Sequence, residues 1–298
     1  MNIESLKFFY MIAKEGSISN VAKSCHISQS ALSQQIQRLE NDIQKKLLVR
    51  SNKGVMLTDT GKIVYQFAAN ILRTHDEMMR ALDEAERGNL VVKIEACSSV
   101  ADYALPCTLI KANVAYPQHH YELSSNFSAE ILANVSNNIC DVGFICDHEV
   151  IFHPEMEIAR VGTNSVLLVS KSDGVFPGEV TAEKLMEMPL IMFPERNNIT
   201  KALLKNLQKL GYDQSSLNRN LRVESIESAK VLIEKRYGIA FLPYVAIKEE
   251  LYKKQFKVIA TPEFNMDLEI AMLHKKDCAE HVRDFVAWFK RYGSDSFC

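Results

Sequence analysis

The chain has 298 residues, a formal net charge of −2, and 47% hydrophobic against 24% charged residues. This length predicts two or three domains, and the composition is that of an ordinary globular protein. No apolar run approaches the roughly 20 residues that a membrane helix needs. Residues 1–20 carry several charges and no small-residue cleavage pattern, which disfavours a signal peptide. We therefore expect a cytoplasmic protein that makes no membrane contact.

The seven cysteines are odd in number, and none are spaced as C-x-x-C. They are Cys25, Cys97, Cys107, Cys140, Cys146, Cys278 and Cys298. In a reducing compartment this pattern predicts free thiols that serve as small apolar residues. The ligand spacing typical of a zinc site is missing, and we expect neither a metal nor another cofactor.

The N-terminal segment predicts three helices, of which the second and third are short and joined by a tight turn. A first helix spans 4–14 and ends at Gly16; Ser17 then caps a helix that ends near Ser24. Residues 25–27 make the turn, and Ser28 caps a third helix over 29–40. Residues 1–60 hold eight Lys and Arg against five Asp and Glu, so this part is modestly basic.

The third predicted helix has one apolar and one polar face. Leu32, Ile36 and Leu39 form the inward face. Glutamine can hydrogen-bond adenine in the major groove, and serine can pair with donors or acceptors. The candidate DNA-reading residues are Gln29, Ser30, Ser33, Gln34, Gln37 and Arg38. Taken alone, the polar face is explained equally well as a solvated surface.

A short hairpin follows this helix. Residues 47–50 and 55–57 read as two strands, joined by a turn over 51–54. Arg50 and Lys53 stand at its edge, where cations can contact DNA phosphates, although a lone surface cation is the commoner role. Together these elements predict an α+β winged helix-turn-helix.

The segment resembles the LysR-type transcriptional regulators. The resemblance rests on Ser28-Gln29-Ser30-Ala31-Leu32-Ser33-Gln34-Gln35-Ile36, Leu47-Leu48-Val49-Arg50 and Leu57-Thr58-Asp59-Thr60-Gly61. The sequence departs from the family pattern at a few places: Ser30 replaces a frequent Pro, Gln34 an Arg, Gln44 a Gly, Leu48 a Phe and Thr60 an Ala. Gln34 removes one cation from the predicted DNA face.

A long linker helix is predicted from Thr58 to about Arg87, ended by Gly88-Asn89. Two adjoining apolar rows repeat every seven residues: Val64, Ile71, Met78 and Ala85, and Ala68, His75 and Leu82. A helix with such a stripe must bury it, and self-association is the simplest solution. The resemblance implies the same: a homodimer through this helix, often paired into a homotetramer.

Beyond Leu90, strands and helices alternate, which predicts α/β layers. Two similar halves follow, and the chain returns to the first half at its end, as in a hinged two-lobe binder. The resemblance likewise implies a periplasmic-binding-protein-like effector domain. We predict a DNA-binding domain over 1–58, a linker over 59–89 and an effector domain over 90–298. Lobe I takes about 90–161 and 267–298, and lobe II about 162–266.

Ligands of open α/β sheets bind beyond the C-terminal ends of strands, where helices begin. Four predicted loops meet this condition and are rich in hydroxyls and amides but poor in cations. The candidate effector-binding residues are Cys97, Ser98, Ser99, Ser128, Asn198, Thr200 and Ser225. They suit a small polar or zwitterionic metabolite. For each Ser or Thr, helix capping is an equally good interpretation.

Cys97 and Cys146 both end predicted strands on the cleft side, so a redox-sensing pair is possible. Peroxide-sensing members of the family carry their cysteine pair in the second lobe. In this chain residues 160–267, which span the predicted second lobe, hold no cysteine, and this disfavours redox sensing.

An enzyme with Cys97 as nucleophile is the alternative, but the sequence has neither a nucleophile elbow nor a phosphate-binding loop. We therefore predict a sequence-specific regulator of transcription, not an enzyme. It would bind double-stranded promoter or operator DNA under the control of an effector held between the lobes, whose closure changes the spacing of paired recognition helices.

Overall fold

The computed structural model describes residues 2–51, 54–86, 90–147, 153–213, 217 and 221–293. The chain divides into two compact units, Met1–Arg87 and Gly88–Cys298. Within the described ranges, no helix has both the length and the apolar character needed to cross a bilayer.

The first unit is a winged helix-turn-helix followed by one long helix. Its elements are α1 (Ile3–Glu15), α2 (Ile18–Ser24), α3 (Gln29–Ile43), β1 (Leu48–Ser51), β2 (Gly54–Leu57) and α4 (Asp59–Glu86). Strands β1 and β2 pair antiparallel. The core is built mainly from α1, α2 and α3, and its largest fully buried side chains are Phe9, Leu6, Ile12, Leu32, Leu39 and Leu47.

The predicted caps of this unit are confirmed. Gly16 ends α1 in the left-handed region with φ 67°. Ser17 accepts a hydrogen bond from the Asn20 amide, and Ser28 accepts one from the Ala31 amide. Thr58 accepts a hydrogen bond from Gly61 N at 2.8 Å and donates to the Lys46 carbonyl at 2.7 Å. The Ser and Thr caps each satisfy an amide at a helix start, whereas Gly16 N donates to the Ile12 carbonyl at the end of α1.

Helix α3 runs three residues further than predicted, to Ile43. It ends at Gln44, whose backbone lies in the left-handed region with φ 56°. Glycine adopts that conformation without steric cost, which accounts for the glycine common at this place in the resembling family. Gln44 N still reaches the carbonyls of Asn41 and Glu40, so the helix end keeps its hydrogen bonds.

A buried carboxylate joins the end of α3 to the first strand of the wing. Glu40 is 7% exposed and accepts hydrogen bonds from Leu47 N at 2.9 Å and Leu48 N at 3.3 Å. Lys46 Nζ donates to its other oxygen at 2.7 Å. Burial raises the pKa of Glu40, but these hydrogen bonds outweigh burial and bring the pKa below its usual range.

The linker stripe is divided between two environments. Ala68 is fully buried and Val64 packs against the core of the first unit, so this part of the stripe does not need a partner chain. Ile71, Met78 and Leu82 of the stripe are exposed instead, as are the neighbouring Ile63, Phe67 and Met79. The side chain of Ala85 and the predicted helix end at Gly88-Asn89 lie outside the described residues.

Lobe I of the second unit is a five-stranded sheet flanked by helices. Its elements are β3 (Leu90–Ala96), α5 (Ser98–Tyr103), α6 (Leu105–Ala115), β4 (His119–Ser125), α7 (Ser128–Ser136), β5 (Val142–Asp147), β6 (Met156–Asn164), β12 (Leu268–Lys275), α12 (Glu280–Trp288) and a π-helical turn (Phe289–Gly293). The strand order is β4-β3-β5-β12-β6. Strands β4, β3 and β5 are parallel, as the alternating sequence predicted. Strand β12 runs antiparallel to both neighbours.

Lobe II is less regular than lobe I. Its elements are β7 (Val166–Lys171), α8 (Ala182–Glu187), β8 (Ile191–Met192), α9 (Asn198–Lys209), β9 (Leu221–Arg222), α10 (Ile226–Glu234), β10 (Ala240–Pro243), α11 (Tyr244–Tyr252) and β11 (Phe256–Ile259). Strands β10, β7 and β11 form an antiparallel sheet, and β8 and β9 a parallel pair. The expected repeat of lobe I is therefore wrong in strand direction, although the two-lobe α/β fold is confirmed.

We predict that Glu40→Ala lowers the free energy of unfolding of the first unit by about 1–3 kcal/mol, because two buried amides lose their acceptor. In the wild type, the stabilising contribution of Glu40 is fully present above the pKa that this residue has in the unfolded chain. It is lost as the pH falls through the lower pKa that Glu40 has in the folded protein. Urea unfolding, with hydrogen exchange of residues 44–57, measures the effect.

Glu15→Ala, at an exposed helix end, is the matched control. Glu40→Gln keeps an acceptor oxygen but carries no titrating charge. It should be less destabilising than Glu40→Ala and should make the free energy of unfolding less dependent on acidic pH. If Glu40→Ala is as stable as Glu15→Ala, the carboxylate does not hold the wing.

Candidate DNA-binding surface and ligand cavity

Helix α3 presents the predicted polar residues on its outer side. Leu32, Ile36 and Leu39 are buried, which confirms the inward face. The candidate residues Gln29, Ser30, Gln34, Gln37 and Arg38 are exposed, and Ser33 is half-buried. They therefore lie together on one accessible helix face, in keeping with both of the interpretations left open by the sequence.

Two glutamines of α3 differ in what they contact. Gln29 accepts a hydrogen bond from Ser19 Oγ at 3.1 Å, which links α3 to α2 at the surface. Gln35 accepts a hydrogen bond from buried Ser5 Oγ at 2.8 Å, so it ties α3 to α1. Gln35 is thus a structural residue beside the exposed Gln34.

The wing is described in part. Its two strands are confirmed, although β1 begins and ends one residue later than predicted and β2 begins one residue earlier. The side chain of Arg50 and the whole of Asn52 and Lys53 lie outside the described residues. The predicted phosphate contacts of Arg50 and Lys53 stay predictions.

A cavity of about 150 Å³ opens in the second unit, where strand ends of lobe I meet helix starts of lobe II. Its walls are hydroxyls, amides and a few apolar groups. The lining residues are Cys97, Ser98, Ser99, Ser125, Asn126, Phe127, Ser128, Cys146, Asn164, Arg196, Asn197, Asn198, Ile199, Glu224, Ile226 and Leu268. This is the position that the strand-end argument predicted for ligand binding.

Five predicted effector residues come together in this lining: Cys97, Ser98, Ser99, Ser128 and Asn198. Two others do not line the cavity. Thr200 is buried and donates to the Phe193 carbonyl at 3.0 Å. Ser225 accepts a hydrogen bond from Ser228 N at 3.1 Å and so caps α10. For these two, the capping or core role accounts for the hydroxyl.

The polar lining residues that sequence reasoning missed include Asn164, Arg196 and Glu224. The expectation of a cation-poor site is corrected by Arg196, whose guanidinium lies 4.3 Å from the Phe127 ring centroid and 3.2 Å from Glu224 Oε2. Arg196 lies two positions before the predicted effector residue Asn198, so a wider reading of that loop would have included it. Asn164 carried no comparable signal.

The floor of the cavity is a connected polar cluster. Asn164 and Ser99 are both buried, and Asn164 Nδ2 donates to Ser99 Oγ at 2.8 Å. Ser128 Oγ accepts from Cys146 N at 3.2 Å. The floor groups thus hold one another in place, and a ligand would meet a fixed set of donors and acceptors.

Asn198 of lobe II is hydrogen-bonded to this cavity floor. Its Nδ2 donates to Ser128 Oγ at 2.8 Å and to the Cys146 carbonyl. The first residue of α9 is therefore bonded to the first residue of α7 and to the end of β5. A ligand with suitable acceptors could take over the same amide.

A second contact between the lobes joins α5 to α10. Tyr103, the last residue of α5, donates to Glu227 of α10 at 2.5 Å. Burial and the Glu227 carboxylate both raise the pKa of Tyr103, so its hydroxyl stays protonated as a donor. Lys230 ties Glu227 to Glu250 of α11 by ion pairs.

Cys97 and Cys146 form a disulfide. The expectation of free thiols is therefore wrong for this pair, because the parallel pairing of β3 and β5 brings the two strand ends side by side. Cys25, Cys107 and Cys278 keep their thiols, and Cys298 lies outside the described residues. Within the described ranges, no group of three or more His, Cys, Asp or Glu could hold a metal ion.

A winged helix-turn-helix and a two-lobe α/β unit with a polar cavity define a ligand-responsive class of DNA-binding regulators. Residues 3–62 match the family described as bacterial regulatory helix-turn-helix protein, lysR family, and residues 85–294 match LysR substrate binding domain. The chain belongs to the LysR family of transcriptional regulators and is not an enzyme.

Relatives and solved structures agree with this assignment. A probable RuBisCO transcriptional regulator of Porphyra purpurea is 28% identical over 255 residues, covering 84% of this chain and 80% of that protein. One of Thalassiosira pseudonana is 26% identical over 283 residues, covering 92% of each. The crystal structure of CbnR, a LysR family transcriptional regulator, matches with a TM-score of 0.73 at 19% identity, covering 99% of each chain. The fold is therefore that of a full-length LysR regulator.

Proposed function

We propose that this regulator reads a specific promoter or operator sequence with the outer face of α3, and that a small ligand in the lobe cavity controls it. The observation that carries the first part is the exposed row of Gln and Ser side chains over a buried apolar face. A structure of full-length CbnR with its target DNA has the same fold, with a TM-score of 0.70, which supports a DNA-bound role for this surface.

The cavity supports a small polar or zwitterionic metabolite as the effector. Arg196 offers a cation and Glu224 an anion in one lining, beside the Ser98 and Ser99 hydroxyls and the Asn198 amide. A ligand with a carboxylate and an ammonium group could use both charges. The cavity volume of about 150 Å³ favours a metabolite of few heavy atoms.

We further propose that residues 1–58 bind DNA, that 59–89 link and dimerise, and that 90–298 bind the effector, with lobe I over about 90–161 and 267–298 and lobe II over 162–266. Ligand would favour the closed lobes and shift the population of subunit arrangements. Paired recognition helices would then change their spacing on DNA.

The first experiment is a gel shift with the DNA upstream of the regulator's own gene. The wild type should give a salt-sensitive shift, because phosphate contacts release counterions. We expect Gln34→Ala to weaken specific binding by about 5- to 150-fold, corresponding to about 1–3 kcal/mol for one base contact. Gln29→Ala should act in the same direction.

Gln35→Ala is the matched control, since Gln35 contacts Ser5 and not the outer face. It should change stability more than sequence preference. Equal binding by Gln34→Ala and wild type, for cognate and scrambled DNA alike, would remove Gln34 from the reading surface.

The second experiment is a thermal-shift screen of the purified protein with amino acids, sulfur compounds and small organic acids. A ligand at 100 times its Kd should stabilise the folded state by about 2.7 kcal/mol. Arg196→Ala should abolish the Tm shift for a carboxylate ligand. Arg222→Ala, a neighbouring exposed cation outside the lining, should retain it. A carboxylate that stabilises wild type and Arg196→Ala equally does not bind as proposed.

We propose that the chain forms a homodimer through α4 and that dimers pair into a homotetramer. Phe67 on this helix is 62% exposed, and Met78 is 52% exposed. Large apolar side chains in a row are typical of a covered helix face. Phe67→Glu combined with Met78→Glu should shift the sedimenting mass toward the monomer, whereas the exposed-site control Gln66→Glu should not. An unchanged mass in the double variant would place the interface elsewhere.

A further inference from the structure

We propose that Cys97 and Cys146 form a reversible thiol–disulfide couple, and that its redox state sets the hydrogen bonding of the cavity floor. The couple itself is independent of the proposed function. Its effect on ligand binding rests on that function. The observation behind it is that the disulfide lines the same cavity as the candidate ligand groups.

The backbone brings the two cysteines into range. Ala96 on β3 pairs with Phe144 on β5 in parallel register, and Cys97 N donates to the Phe144 carbonyl at 2.9 Å. The Cα atoms of Cys97 and Cys146 are 6.4 Å apart, which lies within the span of native disulfides. Because the sheet fixes this separation, the bond can form or break while the strands stay paired.

The two sulfurs differ in access. Cys97 is half-buried on the cavity lining, whereas Cys146 is 3% exposed. A small thiol or disulfide entering the cavity therefore meets Cys97 first. Cys107 is exposed on α6 and is not disulfide-bonded, so it offers an accessible cysteine for comparison.

This difference in access gives an order of steps. The Cys97 thiolate attacks a low-molecular-weight disulfide, forms a mixed disulfide and expels one small thiolate. The Cys146 thiolate then attacks the Cys97 sulfur and expels the second small thiolate. Two electrons pass from the protein sulfurs to the small disulfide, and the two protons lost by the cysteines are taken up by the small thiolates. A small thiol in excess reverses both steps.

Ser99 and Asn164 connect the Cys97–Cys146 pair to the cavity floor. Ser99 Oγ lies 3.7 Å from Cys97 Sγ and 3.9 Å from Cys146 Sγ. Asn164 Nδ2 donates to Ser99 Oγ and lies 3.9 Å from Cys146 Sγ. Disulfide sulfurs carry no proton, while each thiol adds a weak donor. Reduction therefore adds two weak donors beside this hydrogen-bonded cluster, and we expect its hydrogen bonding to change.

Ligand affinity and redox state are then coupled. If reduction changes the affinity of the cavity by some factor, binding changes the thiol–disulfide equilibrium by the same factor. Ligand binding and the ratio of small thiols to small disulfides in solution would then act on the same side chains.

The test begins with the full-length protein equilibrated in glutathione buffers, quenched in acid, and alkylated for mass spectrometry. Of the seven cysteines, we expect Cys97 and Cys146 to lose alkylation together in oxidised buffer and to regain it in reduced buffer. Cys107→Ser should leave this pair's behaviour unchanged. Full alkylation of both residues in oxidised buffer, or protection that no reduced buffer reverses, overturns the couple.

Single variants test the order of steps. Cys146→Ser should trap a glutathione adduct on Cys97, whereas Cys97→Ser should leave Cys146 without an adduct. The opposite pattern overturns the assignment of Cys97 as the entry thiol. The wild-type alkylation result stands even if a variant fails to fold.

Hydrogen exchange of the oxidised and reduced wild type tests the effect on the cavity without any ligand. Residues 93–104, 125–131 and 160–168 should exchange at different rates in the two forms. Identical rates there overturn the coupling to the cavity floor while leaving the proposed DNA-binding function untouched. Failure of the gel shift, in turn, leaves the redox couple standing.

Discussion

The hydrogen bonds of one amide join the two halves of the ligand unit. Asn198, at the start of α9, donates to Ser128 and to the Cys146 carbonyl across the cleft. Both acceptors stand where secondary-structure elements of lobe I begin or end, so the contact fixes the first turn of α9 against the edge of the parallel strands. The cavity exists because this edge and this helix face each other.

Under the proposed function, lobe closure and ligand recognition would depend on the same groups. Ser128 and Asn198 satisfy each other when the cavity holds no other partner, and a buried polar group left without a partner costs about 1–3 kcal/mol. A ligand that reaches the cavity must therefore replace these hydrogen bonds with equivalent ones. Polar compounds with well-placed acceptors can do so, and apolar compounds of the same size cannot.

Local sequence signals predicted those parts of the fold that are determined by a few neighbouring residues. The caps at Gly16, Ser17, Ser28 and Thr58 were found because each lies within four residues of the amide or carbonyl it serves. The parallel strands of lobe I were found from their apolar runs. The strand directions of lobe II, which depend on pairing between distant segments, were not.

Asn164 was missed for a different reason, because it meets Ser99 from 65 positions away. Strand β6 reaches the cavity by pairing antiparallel with β12, which arrives from the far end of the chain. Nothing in the neighbourhood of Asn164 encodes that pairing. Likewise, Val64 and Ala68 belong to a linker pattern by spacing, but α1 packs against α4 and the core of the first unit takes in both residues.

We propose that a small ligand held between the lobes alters the DNA complex. The most direct test is a DNase I footprint of the upstream DNA, with and without a compound that stabilises the purified protein, for wild type and Arg196→Ala. The compound should change the protected length or the hypersensitive positions for wild type and leave the variant's footprint as it was. A stabilising compound that leaves the wild-type footprint unchanged would show that ligand binding does not control the DNA complex.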